Sequence, residues 1–307
     1  MTFPVFLALF AVAAAPAGAQ RPERDPTPPD LGARALSRLD ELPRMRHSVT
    51  IGAITSADPS GKNDDGFSGA HSFLRKEGDG LVLADLTGPG AVTRIWTPTP
   101  TDDPLEFFFD GESTPRLRLP FRDLFLGTRE PFRPPLVGFG AGGYYSYLPI
   151  LYARSLKIVL RGPRVQFHQI NFATYPPGTS VESFAPHPAP TSAAALLGAM
   201  GQDLSRFAAP PGARLERRAV VRTLRPGTRT TVFATTIGGR LAGVRIGPAS
   251  LLMADGRATL LRIYWDGAAA PAVEAPVMDL FGGAWGKPAM TGLLAGVARD
   301  TGYLWFP

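Results

Sequence analysis

The chain has 307 residues, no Cys, 34 Gly, 32 Pro and a formal charge of +6, so two domains fit its length while disulfides, thiolate metal sites and thiol nucleophiles are excluded. Apolar residues make up 44% and charged residues 19%, enough for a packed core, and the density of Gly and Pro suits short strands and turns rather than long helices. The 28 Arg and 4 Lys are scattered, so the excess reads either as an Arg-biased composition or as attraction to anionic partners. Nucleic acid is set aside as a partner because no basic cluster exists to hold it.

In chain order, residues 3–16 are almost wholly apolar and lead to Ala17-Gly18-Ala19, the small-x-small pattern of a cleavage site. Residues 1–19 therefore read as a signal peptide, and the protein as exported, periplasmic or secreted, after cleavage near Ala19. No later stretch reaches eighteen apolar residues, so stable membrane insertion is not expected. Residues 20–47 form a Pro-rich lead-in and a short helix, with Asp30 as N-cap, Leu36, Leu39 and Leu42 near one face, and Pro43 as the stop.

Residues 48–182 form a first β unit. Segments 81–86 and 91–96 flank Gly88-Pro89-Gly90 and predict a hairpin. Further strands are predicted over 105–109, 117–119, 146–152, 156–160 and 165–172. Residues 183–213 are a Pro- and Ala-rich connection with a helix over 192–207. Residues 214–307 form a second β unit, with strands over 220–222, 230–235, 241–246 and 259–265.

The two units share a motif. Phe109-Asp110-Gly111 with Pro115, Pro120 and Asp123-Leu124-Phe125 is repeated by Trp265-Asp266-Gly267 with Pro271, Pro276 and Asp279-Leu280-Phe281, each pair 156 residues apart without a gap. Asp-Gly suits a turn and Leu-Phe a core position, so the repeat reads first as architecture. Strands follow the first copy as far as Phe172, whereas Trp305-Phe306-Pro307 ends the second. The expectation is that the sequence continues beyond Pro307, or that another chain supplies the missing edge.

Several motifs carry no chemistry. Gly138-Phe139-Gly140-Ala141-Gly142-Gly143 matches a dinucleotide fingerprint, but a strand-like run broken by Pro149 follows it instead of a helix. His47, His71, His168 and His187 are isolated, which argues against zinc and leaves no metal assigned. Asn63, Asp64 and Asp65 lie in a Gly-flanked acidic loop that reads as a solvated turn, a structural Ca2+ site without EF-hand spacing, or acceptors for sugar hydroxyls. Trp96, Tyr144, Tyr145, Tyr147 and Trp265 read as core aromatics or as flat faces for sugar rings.

The run Gly61-Lys62-Asn63-Asp64-Asp65-Gly66-Phe67, then Asp85 with Gly88-Pro89-Gly90 and Arg94-Ile95-Trp96, then Asp110-Gly111-Glu112 and 142–149, resembles the domain-of-unknown-function 2961 family, part of which is glycoside hydrolase family 172. The resemblance covers 48–172 well and 215–307 more loosely. It implies an all-β fold of two jelly-roll-like β-sandwich units, the second incomplete, with a few short helices. It also implies homo-oligomers (trimers or multiples of trimers), carbohydrate as partner, and hydrolysis of fructo- or arabinofuranosides.

Retaining hydrolysis needs two carboxyl groups. Laid on this sequence, the family's catalytic glutamates fall at Ala258 and Met278, and the Glu that usually follows the second Asp-Gly is Ala268. The candidates left for catalysis are Glu112 and Glu274, with Asp279 and Asp64 behind them, each also readable as a turn or surface acid. Asn63, Asp64, Asp65, Trp96, Asp110, Tyr144, Tyr145 and Tyr147 are the expected substrate-binding residues. Two functions follow: a furanosidase-like hydrolase, or a non-catalytic carbohydrate-binding or assembly module.

Overall fold

The computed structural model describes residues 3–13, 31–43, 46, 48–140, 142–186, 191–205, 214–254, 256–284 and 290–307. The cleavage motif at 17–19, the lead-in with Asp30, His47, His187 and residues 206–213 of the connection lie outside them. The chain divides into a first unit, residues 45–197 with 31–38, and a second, residues 198–307 with 39–43 and the strand β1 (Phe3–Ala13).

The first unit holds β2 (Thr50–Thr55), β3 (Arg75–Glu77), β4 (Gly80–Thr87), β5 (Gly90–Thr97), β6 (Pro104–Phe109) and β7 (Leu117–Pro120). It continues with β8 (Val137–Gly140), β9 (Gly143–Ser146), β10 (Ile150–Tyr152), β11 (Ser155–Leu160) and β12 (Gln169–Thr174). One sheet runs β2-β12-β5-β9-β8 with β10 also on β5, and the other runs β3-β4-β11-β6-β7. Side chains from both inner faces, among them Val92, Ile95, Ile150 and Ile170 opposite Leu83, Phe107, Phe109 and Ile158, form one buried cluster. Each such side chain contributes roughly 1.5–3 kcal/mol. The result is a β-sandwich with open, unclosed sheets.

The predicted hairpin over 81–86 and 91–96 does not form: β4 and β5 lie in different sheets. A two-residue hairpin needs left-handed φ in the turn, and neither Gly88 nor Gly90 takes it. The chain instead crosses the sandwich, with the Gly88 amide donating to the Arg154 carbonyl and the Tyr175 amide to that of Pro89. Gly90 is required for another reason: a Cβ there would lie 2.4 Å from the Tyr152 hydroxyl.

Other expectations shift locally. The run 146–152 is two strands separated by Leu148-Pro149, and the strand expected over 165–172 is centred later, at β12. The short helix after Asp30 is a pair of 3-10 turns, Gly32–Ser37 and Leu39–Glu41. The helix of the connection is α1 (Thr191–Gly198), shorter than the expected 192–207.

The second unit adds β13 (Leu215–Leu224), β14 (Gly239–Gly247), α2 (Ala249–Ala254), β15 (Leu260–Ile263), β16 (Val273–Pro276), α3 (Val277–Leu280), β17 (Ala295–Ala298) and β18 (Thr301–Trp305). Residues 230–235 belong to no strand, contrary to expectation. The main sheet runs β13-β1-β14-β18-β17, and β15 pairs with β16 as a separate hairpin. Val244, Ile246, Leu252, Val277, Met278 and Phe281 form its core.

The repeat is structural to the level of single hydrogen bonds. β6 and β7 pair Pro104 with Pro120 and Phe107 with Leu117, while β15 and β16 pair Leu260 with Pro276 and Ile263 with Val273, the same register 156 residues later. Asp110 and Asp266 both take left-handed φ, 53° and 52°, which Asp tolerates beside Gly. The Glu112 amide donates to the Phe109 carbonyl, and the Ala268 amide to that of Trp265.

Candidate functional site

The outward face of the β2-β12-β5-β9-β8 sheet is where expected site residues meet. Strand alternation sends Ile95, Ile170 and Ser146 inward and their neighbours outward. One outward row runs Thr55, Gln169, Trp96, Tyr145 and Gly138, each paired across to the next strand. Beside it Asn171 is opposite Arg94.

The rings lie low because glycines let them. A Cβ on Gly143 would come within 2.4 Å of the Trp96 indole, and one on Gly138 within 2.9 Å of the Tyr145 hydroxyl. Tyr147, 45% exposed, extends the surface from Tyr145, with centroids 5.3 Å apart. The Arg94 guanidinium sits 5.9 Å from the Trp96 centroid and donates to the Gln169 side-chain oxygen at 2.7 Å and the Asn171 side-chain oxygen at 3.1 Å. Those bonds orient both amides, leaving their NH2 groups as donors. Apolar ring faces beside fixed donors and acceptors can take a sugar's C–H face and its hydroxyls together.

Tyr144 does not join this face. It pairs with Thr97 and Phe139 and packs on Phe125 at 6.1 Å and Phe139 at 4.9 Å. Conversely, Arg94, Gln169 and Asn171 were not singled out as binders. Their signal was the i, i+2 spacing that puts Arg94 with Trp96, and Gln169 with Asn171, on one side of a strand.

The acidic loop between β2 and β3 turns its carboxylates on itself. Asp58, whose side chain is 2% exposed, accepts from the Ser60 amide and hydroxyl and from the Asp64 amide, with His71 at 3.5 Å. The Ser60 hydroxyl, then its amide, with Asp64 and His71 behind them, hold the Asp58 carboxyl below the usual range despite burial. Asp64 accepts from the Ser68 amide and hydroxyl, which lower it likewise. Asp65 accepts from the Asp58 amide at 2.8 Å, and Asn63 takes a left-handed φ of 65°. Among the described residues, no three His, Asp or Glu side chains converge as metal ligands.

The candidate acids are each paired. Asp110 accepts from the Arg154 amide at 2.7 Å, the Ser155 amide and the Ser183 hydroxyl. Burial pushes its carboxyl up, but those three donors and Arg116 outweigh it and leave it lowered. Glu112 is held by the Arg116 guanidinium. Glu274 accepts from Arg262 at 2.8 Å, which holds it below its ordinary range. Asp279 meets Arg257 at 3.1 Å through one oxygen, while the other is buried with no partner among the described residues.

These features define a two-unit, mostly β protein whose first unit is a β-sandwich with an open aromatic and amide face. Residues 47–191 match the family model for the GH172 first beta-sandwich domain, and residues 214–307 match the model described as GH172 domain-like. The chain belongs to that family, glycoside hydrolase family 172, and is in that sense a carbohydrate-associated protein. No curated protein matches it.

Proposed function

We propose that this protein binds carbohydrate on the outward face of its first unit. Trp96, Tyr145 and Tyr147 form the stacking surface, and Arg94, Gln169 and Asn171 address the hydroxyls. The observation that carries the reading is the seating of the Trp96 and Tyr145 rings over Gly143 and Gly138, which sets two half-buried rings beside a fixed polar row. Such a surface suits an extended glycan, and furanose polymers are the class to which the family resemblance points. The protein acts, on this reading, after export, as a homo-oligomer whose subunits each present this face within a double jelly-roll frame.

The test is titration of the full chain and its Trp96→Ala and Tyr145→Ala variants with arabinan and fructan oligosaccharides. Each truncation is expected to weaken binding by about 5- to 150-fold, at about 1–3 kcal/mol per stacked ring. Unchanged affinity in Trp96→Ala, or no binding by the parent, would sink the reading.

Hydrolysis is the second reading, and one observation favours it. The Asp279 side chain is 24% exposed and meets Arg257 at 3.1 Å through one oxygen, so it is a carboxylate that a substrate can approach beside a cation. Release of aryl α-furanosides that is lost in Asp279→Asn, with glycan binding retained, would establish it. Loss in Glu112→Gln or Glu274→Gln would move the role to those acids.

A further inference from the structure

The two sheets of the first unit differ in how they hold charge. The strands of the β3-β4-β11-β6-β7 sheet carry three acids, Glu77, Asp85 and Glu106, and each is paired. Arg75 meets Glu77 at 2.6 Å and Asp85 at 2.5 Å, Lys157 meets Glu77 at 2.7 Å, and Arg118 meets Glu106 at 3.0 Å. The strands of the other sheet, β2, β5, β8, β9, β10 and β12, contain a single charged residue, Arg94. That cation stands on the outward face beside Trp96, Gln169 and Asn171, and it forms no ion pair among the described residues.

What holds Arg94 is neutral. Its Nη1 donates to the Gln169 Oε1 at 2.7 Å and the Asn171 Oδ1 at 3.1 Å. Amide oxygens fix the direction of a guanidinium without cancelling its charge, as a carboxylate would. Nε and Nη2 make no hydrogen bond among the described residues. Those two nitrogens form the edge of the fork that donates in parallel to both oxygens of a carboxylate. Arg94 is also half-buried beside the Trp96 ring, so its field is screened less than that of a fully exposed cation.

Resting on the carbohydrate reading of this face, we propose that the glycan it takes is acidic. One sugar carries a carboxylate, which Arg94 receives through Nε and Nη2, while neighbouring sugars stack on Trp96 and Tyr145. A neutral chain would leave the cation uncompensated and its free N–H groups facing hydroxyls, which accept more weakly than an anion. No acidic side chain on the strands of this sheet repels an anionic chain. The rings therefore supply contact that any sugar face can make, and the single cation sets which chain is preferred.

The test titrates the full chain at low ionic strength with fructan oligosaccharides and with the same chains after oxidation of their free primary hydroxyls to carboxylates. The oxidised form is expected to bind about tenfold more tightly, and that ratio should shrink as salt is added. In Arg94→Gln the ratio should fall to about one, whereas Arg94→Lys, which keeps the charge and loses the fork, should keep part of it. In Trp96→Ala both forms should weaken together and the ratio should survive. Equal binding of the two forms by the parent would overturn the proposal and leave the carbohydrate reading standing. A ratio that persists in Arg94→Gln would also overturn it, by placing the anion on another cation. Failure of both forms to bind the parent would remove the carbohydrate reading and this proposal with it.

Discussion

The motif around Asp110 and its copy around Asp266 differ in what surrounds them, not in what they are. Both have the same register, the same turn and the same left-handed Asp-Gly step. In the first unit β11 lies along β6, and Asp110 reaches past the turn to its first residues, gathering the Arg154 and Ser155 amides and the Ser183 hydroxyl. Among the described residues of the second unit, β15 pairs with β16 alone and Asp266 makes no side-chain hydrogen bond. A motif can therefore build its own turn unaided, while its bracing depends on strands far along the chain.

The largest expected contrast concerns tryptophan. Trp305 is 2% exposed and lies over Gly243, where a Cβ would be 2.2 Å from the ring, so it is core. Trp96 lies over Gly143 on an open face. Trp305→Ala should destabilise the second unit by ~3–5 kcal/mol. Trp96→Ala should cost the first unit about 1–2 kcal/mol and act mainly on glycan affinity. Denaturant unfolding followed unit by unit checks this, and equal losses would show that Trp96 is core as well.

Next in size is the bracing itself. Asp110→Ala removes an acceptor of three hydrogen bonds and should cost roughly 2–4 kcal/mol. Asp266→Ala should cost about 1 kcal/mol, for the left-handed backbone that Ala resists. Both variants carry that backbone cost, so their difference isolates the brace. Equal destabilisation would mean that Asp266 has a partner strand in solution.

These contrasts also mark what could be read from sequence. The repeat was legible because its turn is made by adjacent residues, Asp-Gly followed by spaced prolines. The alternation that separates Tyr144 from Tyr145 was available too, but assigning each to a face requires knowing which side of β9 meets the core. The 88–90 turn was misread because Gly-Pro-Gly is compatible with a hairpin or a crossing between sheets, and the Tyr152 ring that demands Gly90 comes from 62 residues later. Residues 3–13 read as a leader from composition alone, and their place beside β13 follows from pairing across more than 200 residues.

A smaller effect separates the units by pH. His168 is 1% exposed, and burial lowers its imidazole pKa against a weaker opposing contact with the Gln166 carbonyl. Unfolded, it titrates at about 6.5. Below that pH the unfolded chain binds a proton that the folded one refuses, so stability falls as pH drops through the unfolded pKa and is full above it. Residues 198–307 contain no His. Between about pH 7.5 and 5.5 the first unit's melting temperature should fall and the second's stay level, and His168→Gln should flatten the first. A slope that survives the substitution would assign it to another group.

The smallest effect is expected at Glu274, where the copies exchange signs. β6 and β7 set Glu106 opposite Arg118, and β15 and β16 set Arg262 opposite Glu274. Glu106 has a side chain 10% exposed and a second partner in Arg161 at 2.8 Å, so Glu106→Gln should lower the first unit's midpoint. Glu274 is 44% exposed with Arg262, and exposed pairs contribute little, so Glu274→Gln should leave the second unit's midpoint in place. That stability silence makes the variant a clean probe of chemistry. If aryl furanoside release disappears in Glu274→Gln while the midpoint holds, the acid serves a substrate rather than the fold. If activity and midpoint are both untouched, Glu274 is a solvated surface charge at the position that Arg118 holds in the first copy.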